Sequence, residues 1–123
     1  MTARLKLAFL ASRNGSAFRA AVEAAGAGRL AADIVLLVSN SAKAPALDFA
    51  HERGISHRVI PTAADPDTAD RELAETLIAS GADWVVLSGY LRRIGPAVLD
   101  QFPDPLQGLI TNRVGGGWRQ GRQ

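Results

Sequence analysis

Apolar and polar positions alternate in blocks along the chain. Residues 5–10 (LKLAFL) are apolar apart from Lys6, 34–39 and 84–88 are apolar runs of strand length, and 57–60 (HRVI) is a short candidate strand stopped by Pro61. Between them, apolar residues recur at helical spacing. Phe18, Ala21, Val22 and Ala25 fall at i, i+3, i+4, i+7 within 16–25, Leu47 and Ala50 within 45–53, Leu73, Leu77 and Ile78 after Pro66, and Ile94, Val98 and Phe102 across 95–102. Such spacing puts each set on one helix face, which predicts four amphipathic helices. Gly26 and Gly28, Gly54 and Gly81 follow three of these segments as helix-ending glycines, and Asp65 precedes Pro66 as a cap.

Strands that are apolar throughout and are separated by helices predict a parallel sheet covered on both faces. The fold class is α/β, a doubly wound Rossmann-like sheet of order 3-2-1-4, with 109–111 as a candidate fifth strand. In such sheets ligands bind beyond the carboxyl ends of the strands, where the strand order reverses. That switch point lies between the first and fourth strands. Leu10-Ala11-Ser12 and Leu87-Ser88-Gly89 are therefore expected to face each other across one crevice.

A length of 123 residues suits one domain, taken as 1–112, followed by a basic tail at 113–123 whose glycines and arginines predict disorder. The net charge of +2 comes from that tail. Without Arg113, Arg119 and Arg122, 11 basic residues face 12 acidic ones. No basic face is patterned, so no nucleic-acid partner is expected. The absence of cysteine excludes disulfides and thiol chemistry and fits a reducing cytosol. No apolar run is long enough to span a bilayer, and residues 1–4 lack a signal pattern, so a cytoplasmic protein without a membrane partner is expected.

Two loops are candidates for chemistry. Ser12-Arg13-Asn14-Gly15-Ser16 joins the first strand to the first helix. Glycine and small polar residues there leave backbone N–H groups, aided by the helix dipole, to converge on a phosphate or carboxylate. The same residues also read as an ordinary helix cap, with Ser16 capping. A single glycine does not match a dinucleotide fingerprint or a P-loop. The second loop, 88–96, alternates bulky apolar and cationic residues after Gly89, a pattern that can line a flat apolar slot; by pattern alone it is a plain strand–helix loop with two solvated arginines. His51 and His57 are the only histidines and lack metal spacing, so no metal is expected. Asp48, Asp70 and Glu72 read as solvated surface, and Asn112 as a turn residue.

Four stretches in order carry a family resemblance. Residues 10–20 (LASRNGSAFRA), Val38-Ser39-Asn40, 46–55 ending in Gly54-Ile55, and 85–96 (VVLSGYLRRIGP) resemble the amino-terminal half of the phosphoribosylglycinamide (glycinamide ribonucleotide) formyltransferases. The resemblance covers 5–102 and implies a truncated formyltransferase fold. It implies formyl transfer from the co-substrate 10-formyltetrahydrofolate to the amine of glycinamide ribonucleotide, in purine synthesis. By the same resemblance Asn14, Gly15, Ser16 and Ala17 hold the ribonucleotide phosphate, although Ala17 stands where the family usually has asparagine. Gly89, Leu91, Arg92, Arg93 and Ile94 line the folate slot. The family's Asn-x-His-Pro motif aligns with Asn112-Arg113-Val114-Gly115, so Asn112 is the candidate catalytic residue and Val114 replaces the histidine. The supporting aspartate falls beyond Gln123. The chain as it stands is therefore expected to be inactive, or to be a non-catalytic phosphate- or nucleotide-binding module, or a fragment without function of its own. An exposed sheet edge would favour self-association.

Overall fold

An uninterrupted apolar run forms a stable strand only when both of its faces are covered, and β1 (Leu5–Leu10) meets that condition over its second half. The computed structural model describes residues 5–91, 94–101 and 109–111. After β1 come α1 (Ser16–Gly26), β2 (Ala32–Ser39), α2 (Pro45–Glu52), β3 (His57–Val59), α3 (Pro66–Ser80), β4 (Trp84–Leu87), α4 (Pro96–Gln101) and β5 (Leu109–Thr111). Every pairing is parallel, in the order β3-β2-β1-β4-β5. The expected 3-2-1-4 order is present, and 109–111 adds a fifth strand beside β4.

Right-handed crossovers explain which helix covers which face. The chain steps outward from β1 through β2 to β3, laying α1 and α2 on one face, then returns to the other side of β1 and lays α3 and α4 on the opposite face. Successive β1 side chains divide accordingly. Phe9 and Ala11 join Phe18, Leu37 and Phe49 in one core, whereas Ala8 and Leu10 join Leu73, Leu77, Val85 and Val98 in the other. Phe18 is fully buried, with its ring centroid 5.5 Å from that of Phe9 and 5.8 Å from that of Phe49. The guanidinium groups of Arg19 and Arg53 stack over the Phe49 ring at 4.8 and 4.4 Å, closing this core with cation–π contacts.

Glycines end the first two helices through a shared geometry. Gly28 (φ 80°) and Gly54 (φ 70°) take the left-handed conformation. The next N–H then folds back to a carbonyl in the last turn, Arg29 to Ala24 at 2.8 Å and Ile55 to Ala50 at 2.9 Å. Asp65 caps α3 as expected. Its carboxylate accepts from the Thr68 N–H at 3.2 Å and the Thr68 hydroxyl at 2.8 Å, and these two bonds, the hydroxyl foremost, lower its pKa.

The buried stripe of α3 differs from the expected one. Leu73 and Leu77 are buried, but Ile78 is 52 % exposed. Burial follows the four-residue row Ala69–Leu73–Leu77, with Ala74 beside it. Ile78 lies a further turn of about 100° round the helix, past the layer that covers it. Asp70 is corrected as well: it is half-buried and caps α4 across the fold. Its two carboxylate oxygens accept from the N–H groups of Ala97 (2.7 Å) and Val98 (3.4 Å). Asp48 and Glu72 remain on the surface side, Glu72 paired with Arg58 at 2.9 Å. Phe102 and the tail at 113–123 lie outside the described residues. Among the described residues no helix is long and apolar enough to cross a membrane.

Candidate functional site

Because β1 and β4 are neighbours in the sheet but distant in sequence, their following loops meet. Ser88 N–H donates to the Leu10 carbonyl at 2.8 Å, and Ser12 N–H to the Gly89 carbonyl at 3.3 Å. These bonds place the two predicted loops across one crevice at the carboxyl end of the sheet.

Gly15 sets the geometry of the first loop. It is the residue before α1, with φ 65° and ψ 57°, a left-handed conformation that glycine adopts at little cost. It is also buried. A β-carbon there would lie 3.2 Å from that of Ala46 and 3.3 Å from that of Ala11. With Gly15 at the cap, no local side chain satisfies the first turn of α1. Ser16 is therefore the first helical residue and not the expected cap. The third N–H of the helix, that of Phe18, donates instead to the buried hydroxyl oxygen of Ser88 at 3.2 Å, across from the end of β4. The N–H groups of Ser16 and Ala17 have no protein acceptor among the described residues. They sit at the positive end of the α1 dipole, a local arrangement that favours an oxyanion.

Ser12 ties three loops together. It is 7 % exposed; its hydroxyl donates to Asn40 Oδ1 at 2.6 Å and accepts from the Leu91 N–H at 2.8 Å. One side chain thereby links the ends of β1 and β2 to the loop after β4. That loop turns at Gly89 (φ 69°) and presents Leu91, 62 % exposed, beside the crevice. Tyr90 faces another way, walling a cleft of about 340 Å³ with Ile60, Leu73 and Asp70.

The structure brings Asn14, Gly15, Ser16 and Ala17 to one side of the crevice and Gly89 and Leu91 to the other. Asn14 is exposed, and its carbonyl accepts from Arg19 Nε at 2.8 Å. Ile94 is 5 % exposed and belongs to the core that includes Leu73 and Val98. Arg92, Arg93 and Asn112 lie outside the described residues. Sequence reasoning assigned Ser12 and Ser88 no role, yet both are buried and bonded between loops. Their signal was position: each is a small polar residue directly after an apolar strand. His51 and His57 are exposed, and their rings pack edge to face at 5.9 Å near the amino end of β3. Among the described residues no group of three metal-ligating side chains occurs.

Residues 5–107 match the formyl transferase family, so the match runs past Phe102, where the resemblance was expected to stop. The chain is 36 % identical over 103 residues to the chloroplastic phosphoribosylglycinamide formyltransferase of Arabidopsis thaliana, covering 81 % of this chain and 35 % of that one. It is 32 % identical over 100 residues to the phosphoribosylglycinamide formyltransferase of Escherichia coli K12, covering 80 % and 47 %. Among solved structures, glycinamide ribonucleotide transformylase 1 from Symbiobacterium toebii superposes with a TM-score of 0.80 at 28 % identity, over 88 % of this chain and 50 % of that one. The chain thus spans between a third and a half of the length of these relatives.

Proposed function

This chain belongs to the formyl transferase family, and on that premise we propose that its crevice binds a phosphoribosylated amine, glycinamide ribonucleotide. The observation that carries this reading is the first turn of α1. The Phe18 N–H is held by Ser88, while the Ser16 and Ala17 N–H groups remain for a phosphate. Gly15 supplies the left-handed turn into α1, in a space too tight for a side chain. Ala17 contributes its N–H alone, and Asn14 adds a side-chain amide at the rim.

The one-carbon donor in this reading is 10-formyltetrahydrofolate, which supplies the formyl group. Exposed Leu91 offers apolar surface for a flat heterocycle, and the Gly89 turn keeps the backbone open beside it. By resemblance Arg92 and Arg93 belong to the same slot; Ile94, assigned there too, is buried in the core and supports the loop from below. Formyl transfer to an amine requires a donor that stabilises the tetrahedral oxyanion and a group that moves the proton. Asn112 is our candidate for the first role. Val114 cannot fill the second, because an isopropyl group neither donates a hydrogen bond nor carries a proton. We therefore assign these 123 residues ligand binding without turnover.

Thermal shift with glycinamide ribonucleotide, and separately with a folate analogue, tests the binding half. Ligand at a hundredfold excess over its dissociation constant stabilises the native state by about 2.7 kcal/mol, so the ribonucleotide is expected to raise Tm by several degrees. A cooperative melt that neither ligand moves would refute the proposal. Measurable formyl transfer by the isolated chain would refute the assignment of binding without turnover.

A further inference from the structure

A second feature lies beside the crevice. Between the β1–α1 and β2–α2 loops opens a cleft of about 540 Å³, with Leu91 on one wall. Asn14 lines it, but Gly15, Ser16 and Ala17 do not, so it opens beside the α1 terminus and not onto the N–H groups of its first turn. Its polar lining is unusual in sign. Arg13 and Lys43 both face it, no carboxylate among the described residues does, and neither cation has a side-chain partner among them.

The hydrogen bonds already made in the cleft narrow the ligand further. Asn40 Oδ1 is occupied by the Ser12 hydroxyl, which leaves the Asn40 amide N–H₂ to donate. The Ser12 hydroxyl has its one proton committed to Asn40 and accepts from Leu91, so it has no donor left to offer. Ser41 Oγ accepts from the Lys43 N–H at 3.2 Å, so its O–H proton is the group left to offer. The donors that remain are a guanidinium, an ammonium, the amide N–H₂ groups of Asn40 and Asn14 and a hydroxyl, and among the described residues no carboxylate stands among them. A neutral sugar needs acceptors as well as donors, and a metal cation needs acceptors alone; an oxyanion needs donors. Two positive charges match a dianion. We propose that this cleft is a second anion site, taking the phosphate group of a small phosphorylated molecule through Arg13, Lys43, Asn40 and Ser41. The site does not depend on the ribonucleotide reading.

The test is an amide-resolved NMR titration of the full chain with inorganic phosphate, and then ribose 5-phosphate, at ionic strength held constant with sodium chloride. Saturable shifts at the Ser41 and Lys43 amides are expected. The Arg13→Gln/Lys43→Gln double variant should weaken them by roughly tenfold or more while leaving any response at Ser16 and Ala17 in place. Both positions are exposed, so the substitutions spare the core. Tighter binding of ribose 5-phosphate than of phosphate would identify an ester ligand; equal binding would identify the free ion, and either agrees with a phosphate site. Shifts that fail to saturate, or that the double variant leaves unchanged, would overturn the proposal. A silent Ser16–Ala17 pair with a responsive cleft would support the second site and count against the helix-terminus site alone.

Discussion

Replacing Ser12 by alanine tests whether the crevice is built by one hydroxyl. The substitution removes two hydrogen bonds, at 2.6 Å to Asn40 and at 2.8 Å from Leu91. Neither Asn40 Oδ1 nor the Leu91 N–H has a second protein partner among the described residues, and Ser12 itself is 7 % exposed, so water replaces its oxygen poorly. A hydrogen bond is worth about 1 kcal/mol net, and stranding a buried group costs about 1–3 kcal/mol. Leu91 is exposed and its N–H can turn to solvent, so the lower end of that range applies to it, whereas half-buried Asn40 carries more. The expected loss is about 2 kcal/mol, a fall in Tm of roughly 6–10 °C for a domain of this size. Circular dichroism melts of S12A beside S41A supply the comparison. The bond to the Ser41 hydroxyl, from the Lys43 N–H, is exposed, and its loss should cost no more than about 0.5 kcal/mol. An S12A/N40A double-mutant cycle should give a coupling of about 1 kcal/mol. If S12A melts within a degree of the parent chain, the hydroxyl does not hold the loops, and the crevice must be held open by other contacts.

Ser88→Ala should cost about 1–2 kcal/mol by orphaning the buried Phe18 N–H, and should weaken phosphate binding at the same terminus; unchanged stability and binding would remove Ser88 from the site. Asp70→Ala should cost about 1 kcal/mol through loss of the α4 cap, with Asp70→Asn recovering part of it, since one oxygen still accepts; equal melts for all three forms would show that α4 needs no cap. The lowered pKa of Asp65 makes its cap favour the native state wherever it is ionised. That contribution is present above the ordinary value of 3.8 and is lost as pH falls below it through the lowered folded-state value. Asp65→Asn should flatten the acid limb of the stability curve below about pH 4 while leaving neutral stability nearly unchanged; an unaltered limb in this variant would refute the assignment. The outer edge of β5 has no strand partner among the described residues, so sedimentation at rising concentration should reveal species heavier than the monomer, and a monodisperse monomer would contradict that expectation.

Most of the fold was legible because it is written in blocks. Strands buried on both faces leave an unbroken apolar signature, and the glycines after α1, α2 and α3 mark positions that only a left-handed residue suits. Right-handed crossovers then restrict such an alternation to a few doubly wound orders, of which 3-2-1-4 is one. What was not legible depends on contact at a distance. Ile78 continues the apolar pattern of α3 but lies outside its covered arc, and no local rule states how wide that arc is. Asp70 appears as one more acid on a polar helix. Its role exists only because α4 begins beside it, and the space there is tight enough that a β-carbon on Gly95 would lie 2.5 Å from its carboxylate.

The same division runs through the candidate site. The glycine of the first loop was visible, and the structure supplies two independent reasons for it, positive φ and the 3.2 Å approach to Ala46. The two serines that finish the site were not visible, since serine after a strand is commonplace and their partners are 28 to 79 residues away in the chain. Yet their chemistry explains why the terminus of α1 is available at all. A side chain at Gly15 would press inward on Ala46 and Ala11 from a left-handed backbone, so no cap comes from that position. Supplying one cap from Ser88 satisfies the buried third N–H and leaves those of Ser16 and Ala17 open. The sheet order brings Ser88 to α1 by placing β4 beside β1, so the topology that makes a switch point also leaves two first-turn N–H groups without a protein acceptor among the described residues. Gly15→Ser should therefore destabilise the fold and supply no substitute cap, and a variant that melts at or above the parent chain would refute this account of position 15.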